Sequence, residues 1–143
     1  MTIASILKTK GRAVATVRPS MTLQKAAELL DQKMIGAVVV VDERGRVEGI
    51  LSERDIVRTL ARTGASALAA TAGEAMSKPV VPCRESDTVD AAMSIMTVRR
   101  FRHLPVVEGG ELVGIVSIGD VVKHKIAEAE METEAMRNYI ATA

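Results

Sequence analysis

Two serine–aspartate pairs at one spacing, Ser52-x-x-Asp55 and Ser117-x-x-Asp120, are the residues of this chain best suited to chemistry. Each follows a Gly-Ile-aliphatic run and opens an amphipathic stretch, so each falls where a strand passes into a helix. An ionised carboxylate accepts two hydrogen bonds side by side, which suits the vicinal hydroxyls of a ribose. The free N–H groups of a helix N-terminus suit a phosphate, and a cap serine can donate its hydroxyl to one. The same four residues can also serve only the helix: Ser-x-x-Asp resembles a capping box, and an acid in the first turn favours the helix dipole. Spacing leaves both roles open.

Arg99, Arg100, Arg102 and His103 form the one dense basic cluster. Guanidinium forks match phosphate oxygens, although a solvated face has the same composition. Arg54, inside the first capping turn, is a further phosphate candidate. Phe101 is expected to point inward, and His124 to lie on a helix surface. No serine–histidine–acid order, no phosphate-cradling glycine loop and no metal spacing is present, so no catalytic constellation emerges.

The elements that position these residues occur twice. GILSERDIV at 49–57 returns as GIVSIGDVV at 114–122, and Thr22 returns as Thr88. Ahead of each pair come a helix with apolar residues at i, i+3, i+4 and i+7, a valine-rich strand and a tight turn. In order, the chain reads as a helix over Ile3 to Lys10 closed by Gly11, a strand over Val14 to Val17, and a helix from Thr22. A strand over Ala37 to Val41, a return over Val47 to Leu51 and a helix from Ser52 to about Arg62 complete the first copy. An alanine-rich linker follows. The second copy reads as a strand over Val80 to Cys83, a helix from Thr88, strands over His103 to Val107 and Leu112 to Val116, and a helix from Ser117 to about Tyr139. The last helix carries a thin apolar stripe, Ile126, Ala129, Met136 and Ile140, through an acidic stretch. That stripe needs a cover, and a partner subunit is one.

Composition narrows the function. With 19 Lys+Arg against 18 Asp+Glu the chain is nearly neutral, and one Phe, one Tyr and no Trp leave no stacking platform; nucleic acid is not an expected partner. No apolar run approaches the roughly 20 residues needed to span a bilayer, so no membrane is expected either. Cys83 is the single cysteine, which rules out an intrachain disulfide and fits a reducing, cytoplasmic setting. The first 27 residues hold five basic residues and no acid, a bias shared with transit peptides. Val14 to Pro19 already belong to the first repeat, which favours a structural role.

The segments VRPSMTLQKAAELL with GAVVVVDERGRVEGILSERDIV, and CRESDTVDAAMSIM with RHLPVVEGGELVGIVSIGDVV, resemble a tandem pair of cystathionine-β-synthase (CBS) domains, a Bateman module. The resemblance covers roughly Val14 to Lys125 and is closest to stand-alone CBS-pair proteins. It implies an α/β fold of two pseudo-symmetric β-α-β-β-α repeats packed through their sheets, with an extended C-terminal helix added. The expected divisions are an N-terminal helical segment at 1–13, CBS domain 1 at 14–64, a linker at 65–75, CBS domain 2 at 76–126 and a helical tail at 127–143.

The same resemblance implies a non-catalytic sensor of an adenosine-containing ligand, with AMP foremost and ATP, ADP, NAD(H) or S-adenosylmethionine as further candidates, and no metal. Asp55 and Asp120 match the family's ribose position, and Ser52 and Ser117 the hydroxyl position. Arg102 and His103 match positions that reach phosphate; Arg100, Arg54 and Pro105 complete that group. Pro19 and Thr22 match the turn beside the adenine pocket. Glu85 stands where Pro19 stands, and Gly36-Ala37 where Arg102-His103 stand, so the two clefts are not expected to fill equally. A homodimer and an unidentified regulated protein are the expected partners. A dimeric interaction scaffold without a working nucleotide site is the alternative.

Overall fold

The computed structural model describes residues 1–142 and has the predicted α/β order. The first repeat contains β1 (Thr16–Val17), α2 (Leu23–Lys33), β2 (Ala37–Val41), β3 (Val47–Ser52) and α3 (Glu53–Thr63). The second contains α5 (Val89–Arg99), β4 (His103–Glu108), β5 (Glu111–Ser117) and α6 (Ile118–Thr142). Ahead of the first repeat lies α1 (Ile3–Lys10); a 3-10 turn (Gly64–Ala69) and the single-turn helix α4 (Ala72–Ala75) join the two.

Caps fix the helix starts. The hydroxyls of Thr22 and Thr88 accept from the N–H groups of Lys25 and Ala91, three positions on. At the other ends, Met34 and Arg100 close α2 and α5 in the left-handed region, at φ 54° and 58°. Neither is glycine, so both carry the steric cost of a Cβ there. The hairpins agree as closely. β2 pairs antiparallel with β3 and β4 with β5, and each ladder shifts register at one place, Val40/Val41 and Val106/Val107. β1 adds parallel to β2.

Two predicted strands differ from expectation. Val14 to Val17 forms a ladder only over Thr16–Val17; ahead of it Ala15 adds one bond, its carbonyl accepting from the Val39 N–H. Val80 to Cys83 is not a strand: only Cys83 pairs, in parallel with Val106, through its N–H to Pro105 O and its carbonyl to Val107 N. Pro79 and Pro82 lack the N–H groups that a longer ladder needs.

The aliphatic residues pack as two cores. Val17, Leu23, Ala26, Leu30, Val38, Val40 and Leu51 form one, together with Ala72 of α4. Cys83, Val89, Ala92, Met96, Leu104, Val106, Val116 and Val121 form the other, together with Ile3, Ile6 and Leu7 of α1. The segment before each repeat therefore packs on the other repeat. α4 enters the first core and α1 the second. Two glycines make room for them. A Cβ on Gly49 would sit 2.5 Å from Met76 Sδ, and one on Gly114 would sit 2.8 Å from Leu7 Cδ2. Thr71 bridges Thr22 as Thr2 bridges Thr88. All five residues of β2 are buried. Side chains alternate along a strand, so both faces of β2, the middle strand of its sheet, are covered. No helix among the described residues is long and apolar enough to cross a membrane.

Candidate functional site

The strand-to-helix junction at Ser52 is a closed unit. The Ser52 N–H donates to Asp55 Oδ2 at 2.9 Å, the Ser52 hydroxyl lies 3.1 Å from the same oxygen, and Asp55 N–H donates back to Ser52 Oγ at 3.4 Å. The other carboxylate oxygen accepts from the Ser77 hydroxyl at 2.9 Å and lies 3.5 Å from the Arg58 guanidinium. Asp55 is only 3% exposed. A polar group buried this deeply needs hydrogen-bond partners, and this one has them. In the structure as it stands both of its oxygens are engaged, and a ribose diol reaches Asp55 only by displacing Ser77 or Arg58.

The second junction repeats the box with a different outer partner. Ser117 N–H donates to Asp120 Oδ2 at 2.8 Å and Asp120 N–H to Ser117 Oγ at 3.1 Å. Where the first acid meets Ser77, Asp120 meets the ammonium of Lys10, 2.5 Å from Oδ2. Burial pushes the Asp120 carboxyl upward, but the Lys10 ammonium and the Ser117 N–H outweigh it and hold the group below the usual carboxylate range.

Between the repeats lies a cavity of about 350 Å³. Ile50, Ser52, Arg54, Asp55 and Arg58 form its first-repeat wall. Ser77 and, after a cis Lys78–Pro79 peptide, Pro79, Val80 and Val81 form its floor. The turn from α5 into β4, Arg99 to Pro105, forms its second-repeat wall. Five arginines (Arg54, Arg58, Arg99, Arg100 and Arg102) border it, with Asp55 the only acid. The irregular chain at 79–81 is part of the site: an unladdered segment presents backbone N–H and C=O groups that a strand would have consumed.

His103 marks the seam between the repeats. It lines this cavity, and its Nε2 lies 3.7 Å from where a Cβ on Gly36 would stand. Burial and the charge of Lys10 lower its pKa, against the opposing pull of Asp120 and Glu53. A methyl at Gly36 would meet the ring at ordinary van der Waals distance, so the ring packs against the first repeat without depending on glycine there.

Of the predicted site residues, Ser52, Arg54, Asp55, Arg100, Arg102, His103 and Pro105 converge on the cavity. Pro19, Thr22, Ser117 and Asp120 are not among its lining residues. Pro19 and Thr22 are spent on the linker: Gly73 N–H donates to Pro19 O at 2.9 Å, and Thr22 bridges Thr71. Ser117 and Asp120 form the separate junction under Lys10. Arg58, Ser77, Pro79, Val80 and Val81 were missed. Arg58 could have been found by turning three positions from Asp55 along the helix; the others come from the linker, which carries no motif. Phe101 points into the second core, as expected, and also borders the cavity. His124 differs from expectation: it is half-buried, and its Nε2 has no hydrogen-bond partner among the described residues. Cys83 is buried, and burial together with the Asp87 charge pushes its thiol up to about 12, which leaves it inert as a nucleophile. No cluster of three or more His, Cys, Asp or Glu able to hold a metal occurs among the described residues.

Comparison with known proteins gives the same repeat. The CBS domain family model matches twice, at residues 7–62 and 72–127. The CBS domain-containing protein YhcV of Bacillus subtilis is 36% identical over 128 residues, covering 87% of this chain and 88% of its own. Among solved structures, the CBS-domain containing protein ATU1752 from Agrobacterium tumefaciens is 48% identical, with a TM-score of 0.85 over 87% of this chain and 99% of that one. The CBS domain pair of protein MJ0100, in complex with 5-methylthioadenosine and S-adenosyl-L-methionine, is 26% identical, with a TM-score of 0.80 over 90% of this chain and 98% of that one. With the family model matched twice and these relatives covered nearly end to end, this chain belongs to the CBS-domain family as a tandem pair.

Proposed function

We propose that the chain is a non-catalytic regulatory module whose inter-repeat cavity binds a phosphorylated adenosine ligand, AMP, ADP or ATP. The observation that carries this reading is that five arginines border the cavity while its lining holds one acid, Asp55, which is buried and already hydrogen-bonded. Guanidinium groups recognise phosphate oxygens two at a time. Among the same lining residues, Ile50, Pro79, Val80, Val81 and Phe101 offer apolar surface of the right chemistry for a purine. A volume of about 350 Å³ lies in the range of small-molecule sites. The cavity draws walls from both repeats, so a ligand that prefers one pose of the repeats shifts the population toward it. A regulated partner protein reads that shift.

A second reading, a ligand of the S-adenosylmethionine class, is favoured by the likeness to the MJ0100 pair. Charge separates the two. A sulfonium faces repulsion from five guanidinium groups; a phosphate faces attraction. Titration calorimetry with AMP, ATP, NADH and S-adenosylmethionine tests the proposal. Heat with the phosphorylated ligands and a salt-sensitive affinity support it. Binding of S-adenosylmethionine alone transfers the assignment to the second reading, and silence with all four leaves an interaction scaffold.

A further inference from the structure

Beyond Val121, its last buried residue, α6 continues to Thr142, and every residue from Ala129 to Thr142 is exposed. At 1.5 Å per residue that exposed stretch reaches roughly 20 Å with nothing packed on it. Six of its apolar and small residues, Val122, Ile126, Ala129, Thr133, Met136 and Ile140, recur in alternating steps of four and three, while Ala127, Ala135 and Ala141 fall outside the series. That is a heptad seam, with Ile126, Thr133 and Ile140 at a and Val122, Ala129 and Met136 at d. Ile126, Met136 and Ile140 are 54%, 61% and 67% exposed. Ala129 and Thr133 are small and let two backbones approach in the middle of the seam. Met131 and Tyr139 lie off it.

The flanking charges choose the partner and its direction. Lys125 and Glu132 fall at g, and Lys123, Glu130 and Arg137 at e. In a parallel pair of identical helices, g meets the e position five residues on in the other chain. Lys125 then faces the partner's Glu130, and Glu132 faces the partner's Arg137, each twice by symmetry. In an antiparallel pair with the same seam, Glu130 faces the partner's Glu130, Glu132 the partner's Glu132, and Lys123 the partner's Arg137. All of these contacts are repulsive. Lys125 already holds Asp90 at 2.8 Å and Glu128 at 3.5 Å within its own chain, so the Glu132–Arg137 pair carries most of the discrimination. We infer that the exposed C-terminal half of α6 forms a parallel two-stranded coiled coil with the same helix of a second copy, which sets the two modules side by side with their C-termini together.

The test uses the full chain. Sedimentation shows a dimer. Met136→Cys, at a d position, faces itself across a parallel seam and gives a covalent dimer under mild oxidation. Buried, inert Cys83 does not interfere. Glu132→Lys and Arg137→Glu each turn two attractions into repulsions and weaken the dimer roughly tenfold, and the double variant restores it. Circular dichroism of each variant confirms that the fold is retained. A monomeric wild type overturns the inference. So does cross-linking only when Met136→Cys is mixed with Ile126→Cys, the antiparallel result. So does a dimer indifferent to all of these changes, which locates the contact elsewhere, such as at exposed Val57 and Leu60 of α3.

Discussion

Lys10 Nζ lies 2.5 Å from Asp120 Oδ2, closing the second capping box with a charge where Ser77 closes the first with a hydroxyl. The two acids that look identical in sequence therefore sit in different fields. Asp55 is sealed by neutral donors and one long arginine contact, and Asp120 is tied by a half-exposed lysine to the helix that precedes the first repeat.

Lys10→Met removes an ion pair that water partly screens, and it is expected to cost about 0.5–1 kcal/mol in urea unfolding at neutral pH. Asp120→Ala also removes a cap acceptor and is expected to cost about 1–2 kcal/mol. The Asp120 carboxyl titrates lower in the folded chain than its ordinary 3.8, so its stabilisation is complete above that value and fades as the pH falls through the folded pKa. The Lys10→Met penalty should shrink over that acid range. A penalty constant with pH would show that Lys10 acts by packing alone.

Asp55→Ala strands the Ser52 N–H and the Ser77 hydroxyl in a buried site and is expected to cost about 2–4 kcal/mol, more than Asp120→Ala. Chemical denaturation of the two variants side by side decides this. Equal losses would mean that Ser77 contributes nothing.

Arg100→Gly separates binding from folding. Arg100 caps α5 at φ 58°, a conformation glycine adopts freely, so the variant should melt no lower than the wild type. Loss of the guanidinium should weaken ATP binding by about tenfold or more. Calorimetry and a thermal melt on one preparation read both. Unchanged affinity would remove Arg100 from the phosphate wall.

His103 predicts a loss of stability on mild acidification. Its folded pKa is held below the ordinary 6.5, chiefly by burial, so the unfolded chain takes up the proton first. Stability is full above 6.5 and declines as the pH drops below it. His103→Asn should flatten the melting-temperature profile between about pH 7 and pH 5. A profile as steep as that of the wild type would assign the slope to other groups.

Gly49→Ala and Gly114→Ala probe the exchanged lead segments. Each new methyl meets a side chain of the incoming segment, Met76 or Leu7, and each should cost about 1–3 kcal/mol. Gly49→Ala should cost more, because the Ser77 carbonyl also stands 3.0 Å away and cannot rotate aside as Leu7 can. The order of the two unfolding midpoints is the measurement.

The repeat, the helix caps, both hairpins and the arginine-rich turn were legible in the chain, because each is a local pattern. A cap needs a hydroxyl three residues from its N–H, a strand alternates, and a helix face returns every three or four positions. The heptad along α6 is local in the same way. The exchange of α1 and α4 between repeats was not legible: it joins residues such as Leu7 and Gly114, whose contact is set by how two cores close and by no sequence period. Nor could the sequence tell Asp55 from Asp120, since Ser77 and Lys10 reach them from segments without a motif. Which arginines share a cavity was likewise a tertiary outcome. Local geometry decides what a residue can do, and long-range packing decides which neighbours it does it with.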